Sequence, residues 1–422
     1  MAPLRFVHAA DLHLDSPFAG AGSGAPQAVR ETLLAATFSA YDNLVELCVN
    51  QHANALLIAG DIYDGADRSL RAQIAFAKGL EQLHEAGVRT FICHGNHDPL
   101  DGWDAKLSHP PSVHRFGPEV TSAPLDPARP EGAVVYGVSY PRQQALENLV
   151  PQFRRRDNAE FAIGLLHANV GSNTGHQPYA PCTLEDLSAT GIDYWALGHV
   201  HTRQVLRPCG PTVAYSGNPQ GRHVNETGER GAFVVDVSAA GEVTMSFRPL
   251  DVVRWHRIEA DVSGAEDIQD VLDAVERQVA SAVDGSGGRP IMYRLHLTGR
   301  TTAYADVLRG ANLEDVQARL NEEWASQRPF AWCERITHAL RPEFDRERAL
   351  SANDFLAEVL SGVDAARADP ATLAELRGAL EPLYGGRTRR ILRDLIPDDD
   401  ELRRLLTEAE LECVERLQGG PR

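Results

Sequence analysis

Apolar residues in this chain form short continuous runs that alternate with helical stripes. Phe6-Val7-His8-Ala9-Ala10, Ala55-Leu56-Leu57-Ile58-Ala59 and Val88 to Cys93 have the length of buried strands. Between them, Gln27 to His52 carries Val29, Leu33, Leu34, Phe38, Leu44, Val45, Leu47 and Val49 at helical spacing. Ser69 to Ala86 repeats that pattern with Ile74, Phe76, Leu80 and Leu83. Strand, helix, strand, helix, strand predicts a parallel, layered α/β body. Val134 to Ser139, Phe161 to Leu166 and Ile192 to Leu197 predict further strands, and residues 99–132 predict loops with short strands. Thr212 to Pro219 reads as a strand ending in a turn. Gly231 to Val237 and Val243 to Pro249 read as an antiparallel pair joined near Ala240-Gly241. These last segments are expected to complete a second sheet packed on the first.

Near Asp251 the pattern changes. Trp255 to Val262, Ile291 to Leu297 and Ala331 to Leu340 read as strands, with helices over Ala265 to Val283 and Leu313 to Ser326. Asp284-Gly285-Ser286-Gly287-Gly288 is a break between them. From about Asp345 the chain reads as helical to its end. Ser351-Ala352-Asn353-Asp354 offers N-cap residues before Phe355, Leu356, Val359 and Leu360, and Thr388 to Ile396 and Glu401 to Leu417 are amphipathic. The expected domains are therefore residues 1–250, a small α+β domain over 251–345, and a helical region over 346–422. A chain of 422 residues exceeds one ordinary core, in line with that division.

The chemistry gathers where the strand runs end. Asp11-Leu12-His13, Gly60-Asp61, Gly95-Asn96-His97-Asp98, His167 and Gly198-His199-Val200-His201 each follow such a run. Polar residues at the ends of buried strands line one edge of a sheet, where open α/β folds bind ligands. Carboxylate, imidazole and carboxamide donors without a thiolate suit two divalent metals of the Mn, Fe or Zn kind.

In that order, these five motifs resemble the calcineurin-like metallophosphoesterase superfamily, over roughly the first 220 residues. Asp11-Leu12-His13-Leu14-Asp15-Ser16-Pro17-Phe18 and Gly60-Asp61-Ile62-Tyr63-Asp64 resemble its bacterial DNA repair exonuclease branch, which holds the SbcD nuclease subunit and its YhaO-type relatives. The resemblance implies a four-layer αββα sandwich, followed by a cap domain that shapes DNA access. It implies that Asp11, His13, Asp61 and His201 bind one metal. Asp61, Asn96, His167 and His199 would bind the second, with Asp61 bridging. It further implies hydrolysis by a hydroxide held between the metals, with His97 protonating the leaving oxygen and Asp98 orienting His97. Mn²⁺ is the first choice, with Fe, Zn or Mg as alternatives. The implied partners are DNA, at ends or as single strands, and an ABC-type coiled-coil ATPase that docks on the helical tail. The tail's own stripes fit packing on its own body equally well, and a homodimer is also open. In one respect the chain departs from related archaeal and eukaryotic nucleases. They carry His three residues after the bridging Asp, where this chain has Asp64, so the polarity of cutting does not carry over.

Charge complicates this reading. A net charge of −18 opposes broad electrostatic attraction to nucleic acid, so DNA affinity is expected from a local patch or a partner. Arg154-Arg155-Arg156 and Arg387, Arg389, Arg390 and Arg393 are the compact basic clusters, and solvated faces explain such runs equally well. Arg222 is a candidate phosphate contact. His8 lies inside a strand and reads as a core histidine, and His94 as a neighbour of the Asn96 loop. The six cysteines form no C-x-x-C pair, and no apolar leader or membrane-length run is seen. The expectation is a cytoplasmic protein without a signal peptide. Two other functions fit the same donors: a phosphatase or small-molecule (cyclic-nucleotide) phosphodiesterase, and a non-catalytic scaffold for a partner.

Overall fold

The computed structural model describes residues 1–422 apart from 19–23, 66–67, 144, 157, 172–178, 353, 381–396 and 419–422. The chain divides into two compact units. The first comprises Met1–Ile258, Val279–Arg294 and Leu320–Arg335, and the second Glu259–Gln278, Leu295–Arg319 and Ile336–Arg422.

The first unit is built on two six-stranded sheets. One contains β1 (Leu4–Ala9), β2 (Ala55–Ala59), β3 (Arg89–Cys93), β4 (Val113–Arg115), β11 (Gly231–Val237) and β12 (Val243–Pro249), in the order β12-β11-β1-β2-β3-β4. The run β1-β2-β3-β4 is parallel, as the long helices α1 (Gln27–Asn50) and α2 (Leu70–Glu85) between its strands require. The second sheet contains β5 (Thr121–Pro124), β6 (Ala133–Gly137), β7 (Phe161–His167), β8 (Tyr194–Gly198), β9 (Gln204–Arg207) and β10 (Thr212–Tyr215), in the order β5-β6-β7-β8-β10-β9.

One expectation is corrected here. The hairpin β11-β12 does not complete the second sheet. It pairs antiparallel with β1, Leu4 opposite Val237 and His8 opposite Phe233, and so extends the first sheet past the free side of β1. Apolar alternation explains the layering. Phe6, Leu57, Phe91 and Phe233 point into the core shared with Ile163, Leu165, Tyr194 and Ala196 of the second sheet. Their neighbours Val7, Leu56, Ile58 and Ile92 point the other way, onto Leu44, Val45, Leu80 and Leu83 of the helices. On the far side of the second sheet, Ala162, Leu166, Trp195 and Leu197 pack against Phe153 and Leu187, which lie outside the strands. Both faces of each central strand are buried, hence continuous apolar runs rather than alternating ones. This is the expected αββα sandwich.

A third sheet, β13 (Arg254–Asp261), β14 (Ile291–Thr301) and β15 (Ala331–Pro342), follows with helices α4 (Ile268–Asp284) and α6 (Asn312–Trp324) between its strands. The boundary between the two units runs through these strands. In the second unit, α8 (Phe355–Ala368) is capped by Asp354, whose side chain accepts from the Ala357 amide. It packs with α9 (Pro370–Leu380) and α10 (Asp399–Gln418) through buried Leu360, Leu373, Leu402 and Val414. Arg346 and Arg367 both pair with buried Glu410. The Arg387–Arg393 cluster and the helix expected over Thr388 to Ile396 lie outside the described residues. Within the described residues no helix is long and apolar enough to cross a membrane, and all six cysteines are free.

His8 is fully buried in β1, held by the Tyr194 hydroxyl at 3.0 Å and the Leu197 carbonyl at 3.1 Å. Burial lowers its pKa to about 4, with the Leu197 contact opposing the shift. The folded value lies below the unfolded one, so the unfolded chain binds the proton more readily. Its contribution is therefore complete above about pH 6.5 and is lost as pH falls towards 4. In EDTA, His8→Gln should have a urea midpoint that depends less on pH across that window than that of the unsubstituted chain. Parallel curves would show that His8 does not set the dependence.

Candidate metal centre

The five polar motifs converge where the two sheets' strand ends meet, three from the first sheet and two from the second. Backbone hydrogen bonds carry the pairing past β1. The Asp11 amide donates to the Gly60 carbonyl at 3.0 Å and the His13 amide to the Asp61 carbonyl at 3.0 Å. The second sheet is tied on by His167, whose Nδ1 donates to the Ala59 carbonyl at 2.9 Å. The His199 amide donates to Asp11 Oδ1 at 3.0 Å. This closeness demands small residues. A side chain at Gly198 would strike the Ala59 carbonyl, and one at Gly95 would strike Asp61 Oδ1. Asp11, His13, Asp61 and His199 all have positive φ (55°, 43°, 53° and 99°). For residues other than glycine such conformations cost about 1–3 kcal/mol each and persist only where surrounding contacts enforce them.

Ligand atoms of Asp11, His13 and His201 all lie within 4.8 Å of one another, as do those of Asp11, Asp61 and His167. Asp11 thus stands between the two groups. Partners assign the tautomers. His167 Nδ1 is used on Ala59, so Nε2 faces Asn96 Oδ1 at 3.0 Å and Asp61 Oδ2 at 3.4 Å. His201 Nδ1 lies 2.6 Å from Glu226 Oε1, so its Nε2 faces His13 Nε2 at 3.1 Å. The His199 ring packs 5.2 Å from that of His167. Lone pairs aimed at one another in a buried place require protons or cations between them, and this donor set fits divalent metals.

Electrostatics say the same. Burial would raise the Asp61 pKa, but the His167 and His13 rings outweigh it and hold Asp61 well below the carboxylate range. Burial would lower His167, yet Asp61 and Asp11 push it up to about 9. Burial raises Asp11. Burial, then the Arg222 charge, lowers His13 to about 3. Without metal, a proton on His167 therefore does part of the neutralising, and a bound metal would displace it.

His97 stands at the mouth. Its side chain is 42 % exposed, its amide donates to Asp61 Oδ1 at 2.9 Å, and its ring packs edge-on at 5.0 Å from His13. The orienting role expected of Asp98 does not hold. The Asp98 carboxylate accepts from the amides of Asp61 (3.2 Å), Ile62 (3.0 Å) and Gly95 (2.8 Å), and pairs with His94 Nδ1 at 3.0 Å. Those donors turn it inward, away from His97. The carboxylate facing His97 is Asp64, whose Oδ1 is 3.6 Å from Nδ1. Asp64 Oδ1 also lies 3.0 Å from His13 Nδ1, outside hydrogen-bonding geometry, and accepts from Arg222 at 2.9 Å. Arg222 donates to the Ser16 hydroxyl as well, at 2.7 Å, which places it beside the centre. His94 is a core neighbour, as expected, bridging Asp98 and Arg115 (3.0 Å). Arg155 pairs with Asp193, so it is not a free cation. Glu226 had not been singled out from sequence. The general need of a ligating imidazole for a second-nitrogen partner was the available signal.

Comparison with known proteins agrees with this geometry. The calcineurin-like phosphoesterase family matches residues 4–203, so the sandwich and its strand-end centre are those of a metallophosphoesterase. A second family, the middle domain of metallophosphoesterase YhaO, matches residues 255–341. The uncharacterized metallophosphoesterase YhaO of Bacillus subtilis is 33 % identical over 421 residues, 98 % of this chain and 100 % of that one. The chain belongs to the YhaO family of calcineurin-like metallophosphoesterases. More distant relatives include the SbcD component of nuclease SbcCD from Bacillus subtilis, 24 % identical over 60 % of this chain and 72 % of its own. The DNA double-strand break repair protein Mre11 of Sulfurisphaera tokodaii is 25 % identical over 43 % and 47 %.

Asp98→Ala would leave three amides and His94 without their acceptor. Each buried unpaired group costs about 1–3 kcal/mol. Urea unfolding should therefore show a loss of several kcal/mol. A stability near that of the unsubstituted chain would show that the loop does not depend on this carboxylate.

Proposed function

We propose that this chain is a Mn²⁺-dependent phosphodiesterase that degrades DNA in the cytoplasm, an exonuclease working with an ABC-type coiled-coil ATPase. The observation that supports it best is the position of His97, a half-exposed imidazole beside a buried cluster of metal-ligand donors. Relatives named as nuclease SbcCD and Mre11 support the choice of substrate.

Asp11, His13, Asp61, Asn96, His167, His199 and His201 are the residues that hold the metals. When bound, two divalent cations in such a cluster supply Lewis acidity towards phosphoryl oxygens and a water acidified to near-neutral pKa. Asn96 contributes a neutral donor, which keeps the loaded cluster more positive than a third carboxylate would. His97 carries the proton for the leaving sugar oxygen on Nε2, since Nδ1 faces Asp64. Arg222, held beside the centre by Ser16 and Asp64, binds a non-bridging phosphate oxygen. The coiled-coil ATPase supplies the grip on DNA that a net charge of −18 does not.

The test is Mn²⁺-dependent cleavage of end-labelled linear DNA by the full chain, with and without the ATPase, beside a small phosphodiester. The expected result is shortening of the DNA from its ends, with His97→Ala slower by about 10²–10⁴-fold. Hydrolysis of the small ester but not of DNA, even with the ATPase present, would overturn the reading in favour of a small-molecule phosphodiesterase. Full activity of His97→Ala would remove His97 from the role of acid.

A further inference from the structure

Two of the three imidazoles that the second sheet brings to the centre, His167 and His201, are held differently. His167 donates Nδ1 to a neutral backbone carbonyl, that of Ala59. His201 turns its Nδ1 to a carboxylate, Glu226 Oε1, at 2.6 Å. Glu226 comes from the loop after β10 and its side chain is only 5 % exposed. Its other oxygen accepts from the Arg222 amide at 2.7 Å, which fixes the carboxylate plane against the loop. The Glu226 amide in turn donates to the His223 carbonyl at 2.9 Å, and His223 Nε2 lies 3.5 Å from Oε1. A buried acidic side chain is costly to place unless a specific partner repays its desolvation. Here the partner is the far nitrogen of a candidate metal ligand.

A carboxylate on the far nitrogen of a ligating imidazole fixes the ring and its tautomer and makes the ligating nitrogen more basic. A carbonyl also fixes the ring but lends no charge. The two halves of the centre are thus electrostatically unequal. Glu226 supports the half formed by Asp11, His13 and His201 through His201, and touches none of Asp61, Asn96 and His167, which with the shared Asp11 form the other half.

We propose that Glu226 is a positioning residue that acts through His201 to raise selectively the affinity of the metal held by Asp11, His13 and His201. The two metals then bind with separable affinities. The inference rests on the metal centre and is independent of which phosphodiester the protein cleaves.

The test is titration of the metal-free full chain with Mn²⁺, followed by calorimetry and by electron paramagnetic resonance. The unsubstituted chain should take up two Mn²⁺ and develop the signal of a spin-coupled pair. Glu226→Ala should weaken one of the two by about 10–100-fold while the other changes by less than about threefold. At one equivalent of metal per site, isolated Mn²⁺ should then replace much of the coupled signal. Glu226→Gln, which keeps the size and an acceptor for the Arg222 amide but loses the charge, should fall between the two. It carries the test alone should Glu226→Ala fail to fold. Unchanged affinities in both variants, or equal weakening of both metals, would overturn the proposal. Uptake of fewer than two Mn²⁺ by the unsubstituted chain would overturn the dinuclear centre itself. Inactivity towards DNA with normal titration would instead count against the nuclease reading alone.

Discussion

Mutual repulsion at the strand ends organises this structure. Carboxylate oxygens of Asp11 and Asp61 lie within 4.8 Å of each other and are almost fully buried. At an effective dielectric of about 20, two unit charges at that separation repel by about 3.5 kcal/mol. Positive charge inside the cluster relieves this repulsion, a proton on His167 without metal and divalent cations with it, and burial favours the protonated form of Asp11 in the same direction. The backbones of Asp11, His13, Asp61 and His199 are left-handed. They turn each ligand inward at the cost of local strain, which the surrounding sheets hold in place.

The two sheets make that enforcement possible. Their shared core is largely apolar, with buried His8 bridging to Tyr194 and Leu197, and gives way to the donor cluster at the end where Gly198 meets the Ala59 carbonyl. The His167 link to Ala59 therefore has two roles. It fastens the second sheet to the first, and it fixes which imidazole nitrogen faces Asn96 and Asp61. Cohesion between the sheets and the tautomer of a ligand cannot be changed separately.

Much of this was legible in the chain. Continuous apolar runs marked the central strands because both of their faces are covered, and the polar residue after each run marked the site. Register and partnership were less legible. The hairpin from Gly231 to Pro249 joins a buried apolar strand to a half-exposed one, the pattern of a sheet margin, but local pattern does not say which sheet it extends. Only the free side of β1 decides that. Asp98 shows the same limit at a single residue. It follows His97 directly, yet adjacency does not set direction, and three backbone amides point its carboxylate elsewhere. Glu226 lies 25 residues from His201 along the chain and meets it only through a loop whose course no periodicity records.

Asp64 links these local facts to the handling of substrate. Its carboxylate stands near His13 and His97, and Arg222 donates to it. A buried imidazole of the donor cluster, the half-exposed His97 and the Arg222 guanidinium thus meet at one acidic group. Asp64 pairs with Arg222 and adds negative charge beside His97, so the mouth of this centre attracts a polyanion only weakly by itself. That local acidity has the same sign as the net charge of −18. Both act against the approach of a polyanion to the centre.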